Sequence, residues 1–186
     1  MESSRPNVDE DFNLVKVDIG HRGYNVFVSN FNEYLMVHIR KFYKDKPTKF
    51  GIALTPKEWK ILLNKTEKLN NLIEQMEEAL KQGEKELQSE SFAIGFRGLH
   101  TMITDFHGEL YVHVRKFDGD GIPTAKGVAL NVEEWQDLVN MKEEITELIA
   151  DMKEEAREKS QEPPTKKHCN EKSNKCKRKL FKAKVN

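Results

Sequence analysis

Two matching hexapeptides, VHIRKF at Val37–Phe42 and VHVRKF at Val112–Phe117, each place a histidine two residues before an arginine. A pair of equivalent histidines, His38 and His113, raises general acid–base work or metal ligation as chemistries to test. Structural or surface imidazoles are the alternative. Nothing nearby completes a reaction centre: the sequence suggests no Ser/His/Asp, Cys/His or carboxylate constellation, no P-loop and no dinucleotide fingerprint. An enzyme is not expected. His168, Cys169 and Cys176 are too few and wrongly spaced for a zinc module, so both cysteines read as free thiols, with neither metal nor cofactor expected. The chemistry near the C-terminus is instead cationic. Lys166-Lys167, nine residues, then Lys177-Arg178-Lys179 is close to a bipartite nuclear import signal, and a basic arm of this kind also adds nonspecific affinity for phosphates.

The elements that must position these residues follow from periodicity. In LMVHIRKF, Leu35, Val37 and Ile39 fall on one face and Met36, His38, Arg40 and Phe42 on the other, a strand with one apolar side. Short β-rich runs at Val15–Ile19, Tyr24–Phe31 and Phe50–Leu54 are separated by Gly20, Gly23, Asn30 and Asn32, which gives four antiparallel strands. Thr55-Pro56-Lys57-Glu58 is a capping box with proline at the first helical position, and Asn131 with Glu134 repeats it. Apolar residues at spacings of three and four follow, from Trp59 through Leu62, Leu69, Ile73 and Met76 to Leu80, and from Trp135 through Leu138, Ile145 and Ile149 to Met152. Each predicts one amphipathic helix, the second fraying after Ala156. Both stripes outrun a four-stranded sheet, so their C-terminal halves need a partner, for which the other helix is the candidate. Trp59 and Trp135, one turn into their helices, are assigned to the core.

The two sets of elements are copies of one unit. An offset of 75 aligns Ile19-Gly20 with Ile94-Gly95, Arg22-Gly23 with Arg97-Gly98 and Phe31 with Phe106; after one inserted residue an offset of 76 aligns GIALTPKEW with GVALNVEEW. The chain therefore divides into a disordered start at 1–11, a first ββββα repeat at 12–81, a linker at 82–90, a second repeat at 91–158 and a disordered basic tail at 159–186. The fold class is α+β. The repeats could form an intramolecular pseudo-dimer, or each could pair with another chain as in a homodimer.

Composition bounds the rest. The 186 residues hold 31 Lys+Arg and 31 Asp+Glu, with 37% hydrophobic residues. No run approaches the roughly 20 apolar residues of a membrane span, so no membrane role is expected. Formal neutrality conceals segregation: the tail from Lys166 is +8, residues 13–63 are +5 and residues 91–140 are −3.

The order Ile-Gly, Phe31, Val37–Phe42, Gly51–Leu54 and Trp59, repeated as Ile94-Gly95, Phe106, Val112–Phe117, Gly127–Leu130 and Trp135, resembles the transcriptional coactivator positive cofactor 4 (p15) family across both repeats. The resemblance implies a nuclear single-stranded-DNA-binding coactivator of RNA polymerase II transcription, with RNA or melted duplex as related ligands and the general transcription machinery as partner. It points to Phe31, Arg40, Tyr43 and Lys49 in repeat one, and to Phe106, Arg115 and Lys126 in repeat two. His38, on the strand face of Arg40, is counted with them. Such a site needs cations that follow phosphates and rings on which bases stack. Phe31 and Phe106 could equally be core aromatics, and Arg40 and Arg115 could be solvated arginines at the interface between repeats. Asp118 replaces Tyr43 in repeat two, and the positions around the second turn read Asn32, Tyr34, His107 and Glu109 where the family is basic. The implied binding is weaker, asymmetric and centred on repeat one. The competing reading is a diverged protein-interaction module that keeps the fold and little of the groove chemistry.

Overall fold

The structure, a computed structural model, describes residues 16–31, 34–84, 87 and 90–161. The expected disorder of 1–11 and the clusters Lys166, Lys167, Lys177, Arg178 and Lys179 lie outside the described residues, as does the side chain of Phe31. Repeat one runs β1 (Val17–Ile19), β2 (Tyr24–Phe31), β3 (Tyr34–Tyr43), β4 (Lys46–Leu54), α1 (Pro56–Leu63) and α2 (Thr66–Lys81). Repeat two runs β5 (Ser91–Ala93), β6 (Leu99–Phe106), β7 (Glu109–Phe117), β8 (Pro123–Asn131), α3 (Val132–Asn140) and α4 (Lys142–Gln161). Each set of strands forms a four-stranded antiparallel meander in sequence order. The molecule is thus an α+β fold of two tandem units.

Alternation decides which face of each sheet is covered. Val26 pairs with Ile39 and Val28 with Val37, and all four are buried, whereas Phe27 pairs with His38 on the opposite face. In repeat two, Ile103 pairs with Val112 and Thr101 with Val114 on the buried face. The last strand starts at Lys46, earlier than the apolar run at Phe50 predicts. Lys44 and Asp45 adopt φ of 47° and 60°, the conformation of a tight hairpin turn, and a bulge between Arg40 and Phe42 absorbs the register change. The residue inserted in repeat two falls in the corresponding β7–β8 loop, closed by a hydrogen bond from the Asp118 N–H to the Ile122 carbonyl at 3.0 Å.

Both capping boxes form, Thr55 with Glu58 and Asn131 with Glu134. The single helix expected in each repeat, however, is broken in two. After α1 the Lys65 N–H bonds the Leu62 carbonyl at 3.0 Å, a tighter spacing than the helix uses, whereas α3 ends at Asn140 with its Met141 cap N–H on the Asp137 carbonyl at 3.2 Å. The break lets the two pieces serve different sheets: α1 packs on β3 and β4, whereas α2 crosses to β6 and β7 of the other repeat. Correspondingly α3 packs on β7 and β8, and α4 on β2 and β3. What covers the long apolar stripes is therefore chiefly the other repeat's sheet rather than its helix. Leu69, Ile73 and Met76 from α2, and Ile145 and Ile149 from α4, are buried in one cluster that spans both repeats. Removing each such side chain from water is worth about 1.5–3 kcal/mol. Helix α4 continues to Gln161, past Ala156, because residues 153–159 are dominated by good helix formers and the first proline is Pro163.

Candidate nucleic-acid interface

The uncovered face of sheet one carries an aromatic row. The Phe27 ring stacks on His38 at 4.6 Å with an interplanar angle of 4°, Phe42 approaches Phe27 edge-on at 6.1 Å, and the Lys16 ammonium sits 4.4 Å from the Phe42 ring. His38 Nε2 and Ser29 Oγ are 2.8 Å apart. Burial, then the neighbouring Arg40 charge, lowers His38 from 6.5 to about 4, so it is neutral at physiological pH. His113 repeats the arrangement with Thr104 at 2.9 Å and is lowered by the same two causes. Among the described residues the Nδ1 of His38 has no hydrogen-bond partner, so no carboxylate orients a Ser29–His38 pair for nucleophilic chemistry. The two imidazoles brace their strands by linking β2 to β3 and β6 to β7.

Arg40 and Arg115 also act on backbone. Arg40 donates to the Thr48 carbonyl at 2.7 Å and Arg115 to the Thr124 carbonyl at 2.7 Å, each clamping the bulged start of the last strand. The cross-repeat arginines are instead Arg22 and Arg97, which sequence reasoning passed over. Arg22 forms a bidentate pair with Glu134 and donates to the Ala129 carbonyl at 2.8 Å; Arg97 does the same with Glu58 and the Ala53 carbonyl, the latter at 3.1 Å. The glutamates are the capping residues of α3 and α1, so one carboxylate both caps its own helix and holds the other repeat. Burial pushes the Glu58 carboxyl up, but hydrogen bonds from Arg97 and Thr55 outweigh it and keep the group below its ordinary value. Gly20 and Gly95 make room: a Cβ at Gly20 would lie 2.4 Å from Glu134 Cγ, and one at Gly95 3.0 Å from Glu58 Cγ. The signal was present, since Arg22 and Arg97 are aligned while their neighbours His21 and Phe96 diverge. Trp59 and Trp135 are buried as expected, and their indole N–H groups also reach across, to Thr146 at 3.4 Å and Asn70 at 2.8 Å.

The remaining candidates do not form one cluster. Phe31 and Tyr34 pair at one end of β2 and β3, and Tyr43 lies at the other end of β3, roughly 30 Å away for a strand of this length. His38 and Arg40 stand between them. At the β3–β4 hairpin Tyr43 is 68% exposed with Lys44 5.4 Å from its ring, and Phe50 is 49% exposed with Lys49 at the same distance. Phe50 is an aromatic the sequence reading missed.

In repeat two Phe106 is 63% exposed, which removes the core reading for that ring, and it meets His107 edge-on at 4.4 Å. Lys126 is not the counterpart of Lys49. Its N–H donates to Thr124 Oγ1 as that of Phe50 donates to Thr48 Oγ1, so Lys126 occupies the place of Phe50 and Ala125 that of Lys49. Glu109 stands where repeat one has Tyr34, and Asp118 where it has Tyr43. The two uncovered faces therefore share a frame of histidine and arginine braces and differ in charge at their ends.

Residues 22–65 and 100–141 match the family model described as Transcriptional Coactivator p15 (PC4). A search of curated proteins found no match to the chain. The matched segments hold β2 to α1 and all of β6 to α3 except Leu99, and include Arg40, Arg115 and both capping boxes, while Arg97 lies just before the second. No described helix is long and apolar enough to cross a membrane.

Proposed function

We propose, from the two tandem transcriptional coactivator p15 domains in this chain, that it holds single-stranded DNA on the uncovered face of repeat one and assists RNA polymerase II transcription in the nucleus. Family membership supports a DNA-binding coactivator role in general. The single observation that carries the finer reading is the β3–β4 hairpin, where Tyr43 beside Lys44 and Phe50 beside Lys49 present rings for bases and ammonium groups for phosphates. Arg40, His38 and the Phe27–Phe42 row lie on the uncovered face beside that hairpin, and Phe31 stands on the strand at its far end. In repeat two the groove residues are Phe106, Arg115 and Lys126, with carboxylates at Asp118 and Glu109 opposing phosphate. The two repeats in one chain take the place of two subunits, joined through the Arg22–Glu134 and Arg97–Glu58 pairs. The segment from Lys166 serves import and adds phosphate affinity.

The test is fluorescence anisotropy of a labelled thymidine oligomer with duplex as competitor, on the full chain and on a Tyr43→Ala, Phe50→Ala version. Stacking on a side chain is worth about 1–3 kcal/mol per base, so the double variant should lose at least tenfold in single-strand affinity. Equal affinity for duplex, or an unchanged double variant, overturns the reading. A second reading, a protein-interaction module, is favoured by Asp105, Glu109 and Asp118 at the ends of sheet two. It requires repeat two to capture a transcription protein in the absence of nucleic acid.

A further inference from the structure

Where the end of α2 meets the other repeat, a cleft of about 560 Å³ opens between that helix, the β6–β7 hairpin and the start of α3. Its floor is apolar: Leu110 is buried, and Leu80 and Val132 are half-buried against the core. Three carboxylates, Glu77, Glu109 and Glu133, stand around that floor, with Lys81 as the single cation of the lining. Lys81 Nζ lies 4.0 Å from Glu78 on its own helix. One oxygen of Glu109 accepts from the Tyr111 hydroxyl at 2.8 Å, and His21 Nε2 lies 3.4 Å from a Glu133 oxygen. Among the described residues no lysine or arginine pairs with any of the three. The mouth is unobstructed, since a Cβ at Gly108 would meet nothing within 4 Å.

The twin place in repeat one has the opposite character. At the aligned positions Lys57 replaces Glu133, Lys153 replaces Glu77, Arg157 replaces Lys81 and Tyr34 replaces Glu109, while Ala156 stands in place of Leu80. The acidic rim and the wider apolar floor therefore belong to repeat two and are not a requirement of the fold. A ligand complementary to them carries cations beside large apolar side chains. The chain itself holds one. After Gln161 the only adjacent pair of large apolar residues is Leu180-Phe181, set between Lys177-Arg178-Lys179 and Lys182-Ala183-Lys184. The 16 residues from Gln161 to Lys177 can extend about 50 Å, more than the roughly 40 Å diameter of a domain of this size, so the segment can reach the cleft.

We propose that the cleft docks the chain's own Lys177–Lys184 segment, with Leu180 and Phe181 on the apolar floor and the flanking cations on the three carboxylates. Docking holds back the phosphate affinity of that segment until nucleic acid competes for it. The masking, though not the docking, rests on the reading that the segment adds phosphate affinity. The cationic twin place repels the same segment, so the docking is confined to one of two otherwise equivalent corners.

The test uses the full chain with Cys169→Ser and a nitroxide on Cys176, one residue before the segment. Paramagnetic relaxation is expected at the amides of Gly108–Leu110 and Val132–Glu133, and not at Tyr34, Leu35 or Lys57 of the twin place. Glu77→Gln with Glu109→Gln and Glu133→Gln should remove it, as should Leu180→Ser with Phe181→Ser, in chains whose melting midpoint is unchanged. Duplex DNA should displace the segment. By reciprocity the glutamine variant should bind duplex roughly fivefold more tightly, since a few exposed ion pairs hold the segment, and Lys177→Gln with Arg178→Gln and Lys179→Gln should cancel that gain. Relaxation absent from the cleft, equal in the twin place or unmoved by both variants overturns the docking. Relaxation of an isotope-labelled chain by a spin-labelled second chain also overturns it, because the occupant is then another copy. Docking with duplex affinity unchanged in the glutamine variant overturns the masking. The relaxation measurement contains no nucleic acid, so failure of the single-strand reading leaves its outcome unaffected.

Discussion

His38 is neutral in the folded protein because its ring is stacked, hydrogen-bonded and shielded beside a guanidinium. Its folded pKa of about 4 lies below the unfolded value of 6.5, so between those limits the unfolded chain binds more protons. Stability from this residue is complete above pH 6.5 and is lost as pH falls from there toward 4. Thermal melts from pH 7 to pH 4.5 should show a falling midpoint, and His38→Gln should flatten that slope; an unchanged slope would mean that the imidazole protonates freely. Glu58, whose pKa is depressed, acts in a lower window, its contribution being lost only as pH falls below the ordinary carboxylate range. Arg40 carries a different warning. Because it donates to the Thr48 carbonyl, Arg40→Ala should cost about 1.5–3 kcal/mol of stability as well as any binding loss, measured by urea denaturation beside the binding assay. Sequence alternation places Arg40 on the uncovered face, but a side chain that reaches the carbonyl of a bulged neighbouring strand depends on a hairpin geometry that alternation does not encode.

The elements of largest consequence are the two short turns before β2 and β6, where glycine, arginine and the capping glutamate of the other repeat meet. Gly20 has φ of 58° and its Cβ position is occupied by Glu134, whereas Gly108, at φ of 84°, faces open space. Gly108→Ala should therefore cost about 1 kcal/mol of left-handed strain and Gly20→Ala clearly more, with the difference read from paired denaturation curves. Arg22→Ala leaves the wholly buried Glu134 without its main charged partner. Its expected cost is about 3 kcal/mol, at the low end for a broken buried pair because Arg22 itself is more than a third exposed. An equal cost for Arg22→Ala and for an exposed substitution such as Lys57→Ala would contradict the role given to the pair. Most of this architecture is written locally. The four strands, both capping boxes and the amphipathic stripes follow from spacing and cap chemistry. The helix breaks at Lys65 and Met141 do not, because an apolar stripe specifies that something covers it and not which sheet does. The partner of Arg22 lies 112 residues away, and no local pattern names it.

At the scale of the whole molecule, α2 and α4 exchange sheets, so neither repeat completes its core alone. Sedimentation should return a mass near 21.7 kDa, the value of one chain, and twice that would indicate pairing between chains. Cleavage within the 82–90 connector should leave the two fragments associated in native gel filtration, and separation into folded halves would show that the exchanged helices contribute little. Joining the repeats also changes what a substitution means. In an assembly of identical subunits every replacement occurs twice and the surface stays the same when turned end for end. Here the interlocking arginines and glutamates keep a near-twofold plan, while the Tyr43–Lys46 hairpin bears one ring and two ammonium groups beside Asp45 and the Phe117–Pro123 loop bears Asp118 and Asp120 with no lysine. The two ends are therefore unlike. A strand laid across the molecule from 5′ to 3′ would meet a different order of surfaces from one laid 3′ to 5′, so that duplication within one chain gives a nearly symmetric body a sense of direction.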